Sequence, residues 1–275
     1  MRVKHVTQTT APSERNDQDR WRTLETALRL TTPGVISIVG AGGKTTLMFN
    51  MAAIMAAARQ AVLTTTTTKI RPPARSQCPR MVIARTMTDL VQGLEGFPDR
   101  FRHVTAGAEY LTAEDKLRGY TTEMITTLWQ SGLFAWVIAE ADGSAGRPLK
   151  WPAGHEPVVG RVTRYVVAVV GLRAVGKPLD HTMVHRPERY AKGTGLAPGD
   201  AVTPASVARA LLREDGILKG TPPGSKRIIF LNTAGQPALE KSGMAVVESL
   251  RHLSAQPPDR IIIGAAGEPP ASWRW

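Results

Sequence analysis

The sequence predicts an α/β fold, a doubly wound and mostly parallel sheet with helices on both faces. Two observations carry that expectation. Short, near-continuous apolar runs alternate with longer segments of helical period, as expected of strands that crossover helices bury on both faces. The first such run also passes straight into a glycine turn and a helical stretch, the strand-turn-helix order that places ligands at the carboxyl ends of strands.

The elements follow in order. Residues 1–20 are polar and charged and read as a flexible tail, without the apolar core of a signal peptide. Residues 21–275 are expected to form a single domain, since one continuous sheet is simpler than a boundary near Arg147–Val158. Trp21–Leu30 suits a first amphipathic helix, with Leu24, Ala27 and Leu28 on one side. Val35–Val39 reads as a buried strand. Lys44–Ala58 reads as a helix whose Met48, Met51, Ala52 and Met55 share one face and pack the core. Ala61–Thr65, Met81–Ala84, Phe134–Ala139, Tyr165–Val170, Arg227–Leu231 and Arg260–Ile263 read as strands. Ala205–Arg213 and Ala238–Leu253 read as helices, and Arg71–Arg80 and Lys150–Val158 as loops.

Composition narrows the function classes. The hydrophobic share of 42% suffices for a core. A single cysteine, Cys78, excludes an internal disulfide and a cysteine-rich zinc site; in its Pro/Arg-rich stretch it reads as incidental. The net charge of +12 suits nucleic acid, an acidic membrane or an anionic ligand. Lys and Arg are dispersed and no aromatic-flanked module is visible, so an anion-binding cleft is favoured over nucleic acid. The longest apolar runs, Met48–Ala58 and Tyr165–Leu172, are too short to span a bilayer. A cytoplasmic protein with no membrane partner is expected.

The most specific segment is Val35-Ile-Ser-Ile-Val-Gly40-Ala41-Gly42-Gly43-Lys44-Thr45-Thr46-Leu47. Glycines let the backbone curl so that successive N–H groups face an anion, and the helix start adds unpaired N–H groups and a positive dipole end. Lys44 can then reach the outer phosphates of a nucleoside triphosphate, ATP or GTP, and the Thr45 hydroxyl can ligate Mg²⁺. This is a phosphate loop of P-loop NTPase type, shorter than the common form: Gly40-x-x-Gly43-Lys44-Thr45. The short form resembles the ATP-binding loop of Mur ligases. Nucleotide contacts are expected from Gly40, Ala41, Gly42, Gly43, Lys44, Thr45 and Thr46.

Such a loop requires an acid at the end of a neighbouring strand. The strand ending at Ala139 runs into Glu140-Ala141-Asp142-Gly143. Glu140 and Gly143 have the Asp-x-x-Gly spacing of GTPase switches, with Glu in place of Asp. Glu140 and Asp142 share a face if the strand persists. Lys44, Glu140 and Asp142 are therefore the candidate catalytic residues, and Thr45 and Glu140 the candidate metal ligands. The run Thr64–Thr68 with Lys69 reads either as an ordinary β-edge or as a switch segment near the terminal phosphate. Asn232 ends a late strand where GTPases carry Asn-Lys-x-Asp, but Thr233 and Gly235 replace the Lys and Asp, so base reading through Asn232 is degraded.

Taken together, Val39–Leu47, Thr64–Thr67 with Lys69-Ile70, Glu140–Lys150, His155-Glu-Pro157, Val184-His-Arg186 and Leu231-Asn232 resemble the YqeC-like family of selenium-dependent molybdenum hydroxylase accessory proteins. The resemblance covers roughly Pro33 to Ile263. It implies a nucleotide-binding accessory factor, whose partner is a molybdenum hydroxylase or its cofactor-insertion machinery. It supplies no chemical step. Two other functions remain open: an ATP-dependent kinase or ligase acting on a small acidic molecule, and a nucleotide-gated binding module without turnover. Arg147 and Lys150 read equally as anion contacts or surface charges. His155-Glu156 and His185-Arg186-Pro187-Glu188 are candidate substrate-site groups.

Overall fold

The computed structural model describes residues 27–95, 102–254 and 256–267. The expected tail lies outside them, and so does most of the expected first helix, of which Ala27 and Leu28 are helical and buried.

The chain forms a doubly wound α/β fold around an eight-stranded parallel sheet. Its strands are β1 (Gly34–Gly40), β2 (Val62–Thr66), β4 (Met81–Ile83), β5 (His103–Gly107), β8 (Trp136–Glu140), β10 (Thr163–Gly171), β12 (Lys226–Asn232) and β13 (Arg260–Gly264). They lie in the order β13-β12-β10-β1-β8-β2-β5-β4. The strands β3 (Lys69–Ile70), β6 (Glu109–Leu111) and β7 (Lys116–Arg118) form a small antiparallel sheet. The short strands β9 (Leu149–Lys150) and β11 (Val184–His185) pair in parallel.

The helices are α1 (Lys44–Ala57), α2 (Met87–Leu94), α3 (Thr122–Gln130), α4 (Pro187–Thr194), α5 (Pro204–Leu212) and α6 (Glu240–Leu253). Alternation along the strands sorts the core into two faces. Ile36, Ile38, Ile138, Val167 and Phe230 pack against Leu47, Met48 and Met51 of α1. On the other face Val166, Val170 and Leu231 meet Val207 of α5 and Val246 of α6. Further along that face Val35, Leu63 and Val137 meet Leu90 of α2 and Ile125 of α3. Among the described residues, no helix is long and apolar enough to cross a membrane.

Several elements depart from the sequence reading. The threonine run is no edge: β2 lies between β8 and β5, and Thr64, Thr65 and Thr66 are buried. Their hydroxyls are satisfied inside the sheet, Thr64 with Thr105 at 2.7 Å and Thr65 donating to Ala106 O at 2.8 Å. Strand β5 escapes a hydrophobicity scan because His103 and Thr105 stand where apolar residues would; burial holds the His103 imidazole down at about 4, and its Nε2 lies 3.0 Å from the Thr64 hydroxyl. The stretch expected as a loop from Lys150 begins inside β9.

One close crossing sets the end of β2. Gly119 packs so tightly that an added Cβ would sit 1.6 Å from Thr66 O, and the Thr66 hydroxyl donates to Glu140 O at 2.7 Å. Gly119→Ala should therefore destabilise the fold by about 1–3 kcal/mol, as overpacking does, measured as a fall in the urea midpoint. An unchanged midpoint would mean that this crossing relaxes freely and does not hold Glu140 in place.

Candidate functional site

The turn after β1 is shaped by its glycines. Gly40, Gly42 and Gly43 have φ of 92°, 80° and 126°, a region that side chains rarely enter. Space forbids side chains too: a Cβ at Gly42 would meet Pro148 O at 2.6 Å, and one at Gly43 would meet Asn232 Nδ2 at 2.3 Å. Two of the loop's N–H groups are already committed. Gly40 N donates to Asp142 Oδ2 at 3.0 Å, and Ala41 N to Val169 O at 2.8 Å. They brace the loop against its neighbours. The amides open to an anion begin at Gly42 and continue into the first turn of α1, where an α-helix leaves its N–H groups unpaired.

Lys44 stands at the centre. Its Nζ donates to Gly40 O at 2.8 Å and lies 3.4 Å from both Glu140 Oε1 and Asp142 Oδ1. Burial alone would lower its pKa, but the charges of Asp142 and Glu140 and hydrogen bonding to them hold it above the ordinary lysine value. The parallel pairing of β1 with β8 sets Ile38 opposite Glu140. Ala141 N continues that ladder to Ile38 O at 2.8 Å, so alternation persists and both acids turn to the loop. The Thr45 hydroxyl donates to Glu140 Oε2 at 2.6 Å. Thr66 Oγ1 and Thr67 N hold the Glu140 carbonyl at 2.7 and 3.0 Å.

Asp142 opens a second line of charge. Its Oδ2 accepts from Lys150 Nζ at 2.9 Å, and Lys150 also donates to Glu156 Oε2 at 2.9 Å and Gly143 O at 2.6 Å. Glu156 in turn takes Arg186 at 2.7 and 3.3 Å on its two oxygens. Arg186, Glu156, Lys150, Asp142, Lys44 and Glu140 thus alternate in sign along one path, buried except at its half-buried end, Arg186. Lys150 is fully buried, which corrects its reading as a surface charge and leaves it no direct access to ligand. Burial would raise the Glu156 carboxyl, but Arg186 and Lys150 outweigh it and bring it down to about 2. His185 is pushed below the ordinary histidine value by burial, Arg186 and Lys150.

The remaining predicted positions fall on two sides. Asn232 is committed to the protein: Nδ2 donates to Gly42 O at 2.6 Å, while Oδ1 accepts from Ala234 N at 2.9 Å and Ala266 N at 3.0 Å. It ties the loop to the ends of β12 and β13. Thr46 is exposed at the mouth. His155 is exposed and is not brought to the loop. Lys69 and His185 do line a cavity of about 900 Å³ against Gly42–Thr46 and Glu140. Cys78 is buried, its thiol raised by burial and donating to Arg80 O at 3.0 Å. The sequence reading named Lys150, Glu156 and Arg186 as separate candidates but not their pairing, because the ion pairs Lys150–Glu156 and Glu156–Arg186 follow no recognised motif spacing.

The family model for the YqeC protein matches residues 36–188, a span holding the whole alternating line from Lys44 to Arg186. The uncharacterized protein YqeC of Escherichia coli (strain K12) is 36% identical over 240 residues, covering 87% of this chain and 90% of that protein.

The line should show in acid. A carboxyl whose folded pKa lies below its unfolded value stabilises the fold above the unfolded value, and that contribution is lost as pH falls through the folded one. For Glu156 the loss runs from its ordinary 4.5 down to about 2. Glu156→Gln should be less stable than the parent at neutral pH, and the gap in urea midpoint should close on acidification through that window. A gap that stays constant would show that the Glu156 pairs contribute nothing electrostatic.

Proposed function

The chain belongs to the YqeC family, and on that premise we propose that it binds ATP or GTP with Mg²⁺ at the Gly40–Thr46 loop, hydrolyses it, and serves as a cytoplasmic accessory factor. The proposed client is a selenium-dependent molybdenum hydroxylase or the machinery that inserts its cofactor. The observation that carries the nucleotide reading is Lys44, held at the mouth of a loop of open amides with Glu140 and Thr45 beside it. The client rests on the family resemblance of the motifs, a warrant of analogy.

The chemistry follows from charge. Three cations and three carboxylates balance along the buried line, so a triphosphate arrives at a neutral cluster and must be met by other groups. The amides from Gly42 onward and the start of α1 supply part of that field. Lys44, four residues from the carbonyl it now holds, can turn to the outer phosphates. Mg²⁺, when bound, neutralises phosphate charge. Thr45 Oγ1 and Glu140 Oε2, hard oxygen donors 2.6 Å apart, suit that ion, which proteins hold with one or two carboxylates while phosphates and water complete the shell. Departure of Lys44 would free Glu140 Oε1 to accept a proton from an attacking water. Asp142, bonded to Gly40 N and Lys150, positions the loop.

Lys44→Ala should lose most nucleotide binding. Glu140→Gln should keep binding but lower turnover on the order of 10²-fold or more if Glu140 is the base; normal turnover would remove it from that role. Calorimetric titration with ATP and GTP should give affinities within about tenfold, ~1.4 kcal/mol, because Asn232 is committed to Gly42 and no acid follows it. A thousandfold preference would mean that another group reads the base. Deleting the gene should lower molybdenum hydroxylase activity in the host; full activity would remove the client.

A further inference from the structure

The cavity beside the phosphate loop extends well beyond it. Its volume of about 900 Å³ lies near the top of the range for whole small-molecule sites, roughly 300–1,000 Å³, more than phosphates alone would fill. Gly42–Thr46 line one end. The rest of the wall comes from the segment after β2, from Lys116 of β7, from Gly143–Arg147 and from His185. Asn232 and Ala266 take no part in it; they lie across the loop, on the β12–β13 flank of β1.

That outer wall carries positive charge which the protein leaves largely uncompensated. Lys69 and Lys116 share a single carboxylate, Glu114, at 2.6 and 3.7 Å. Arg147 donates to the carbonyls of Ala145, at 2.9 Å, and His181, and has no carboxylate partner among the described residues. Arg71 has no hydrogen bond or ion pair among the described residues. The lining carboxylate, Glu140, is already engaged by Thr45 and Lys44. Ile70 and Pro72 give the same wall an apolar portion. Two guanidinium forks suit the oxygens of a phosphate or a carboxylate, and their joint charge suits a dianion.

We infer that the outer half of this cavity is a second substrate site, for a small molecule with a dianionic group, a phosphate monoester or a dicarboxylate, held by Arg71 and Arg147 next to the nucleotide's terminal phosphate. The assignment deepens the nucleotide reading above and rests on it. It makes the loop and the outer wall two halves of one bisubstrate cleft, with His185 in the lining of the same cavity.

The test is calorimetric titration of the full chain, loaded with AMP-PNP and Mg²⁺, with phenyl phosphate in one arm and phthalate in the other. At least one probe should bind. The double variant Arg71→Gln, Arg147→Gln should weaken it tenfold or more while leaving AMP-PNP affinity within about threefold. Preference between the arms identifies the dianion. Absence of binding by both probes, or equal binding by parent and double variant, overturns the site. If AMP-PNP itself fails to bind, the nucleotide reading falls, and the probes are titrated into the nucleotide-free chain. There the double variant should abolish binding and Lys44→Ala should spare it; the reverse ranking would place the anion in the phosphate loop and overturn the inference. Circular dichroism of the double variant, whose side chains are exposed or half-buried, confirms that it folds.

Discussion

Everything around the loop depends on how Lys44 is neutralised. An ammonium buried at the end of β1 is tolerable only because two carboxylates stand 3.4 Å away, since an unpaired buried charge would shift its pKa or unfold its surroundings. Those carboxylates are themselves buried and need more than half a lysine each. Asp142 takes Lys150, Lys150 takes Glu156, and Glu156 takes Arg186. Alternation of sign is the condition for placing so many charges in one dry region. It also explains the topology of the site: β8 must lie beside β1 to bring its two acids to the loop, and the pairing of β9 with β11 sets Lys150 and His185 opposite one another, one residue from Arg186.

A line of this kind conveys charge changes. On the proposed reading, an anion that draws Lys44 toward itself removes one of the two cations facing Asp142. Lys150 then carries that carboxylate alone and holds Glu156 less strongly, which leaves more of Glu156 to Arg186 at the start of α4. Asn232 braces Gly42 to the ends of β12 and β13 on the other flank.

Much of this was legible in the sequence, and the rest was hidden for identifiable reasons. Ten of the strands and helices read from apolar runs and helical period sit within a few residues of their expected bounds, among them β1, α1, β8 and α6. Continuous apolar runs betray strands buried on both faces. Strand β5 was hidden because buried His103 and Thr105 satisfy one another's neighbourhood through Thr64. Helix α3 was hidden by its threonines at 122, 126 and 127, two of which bond back to carbonyls four residues earlier. The meeting of the loop with Glu140 and Asp142 was legible because a glycine turn after one strand and two acids after another are local patterns. The pairing of Lys150, Glu156 and Arg186, which the sequence offered only as separate candidates, was not, since it arises in the folded chain.

The most direct measurement of the central claim is a crystal structure of the chain with AMP-PNP and Mg²⁺. The account predicts phosphates seated on the amides from Gly42 to Thr46, Lys44 Nζ turned from Gly40 O to the outer phosphates, and the ion between Thr45 and Glu140. Asp142 should still hold Gly40 N and Lys150. A nucleotide bound elsewhere, or a Lys44 that keeps its bond to Gly40 O while the loop stays empty, would contradict it.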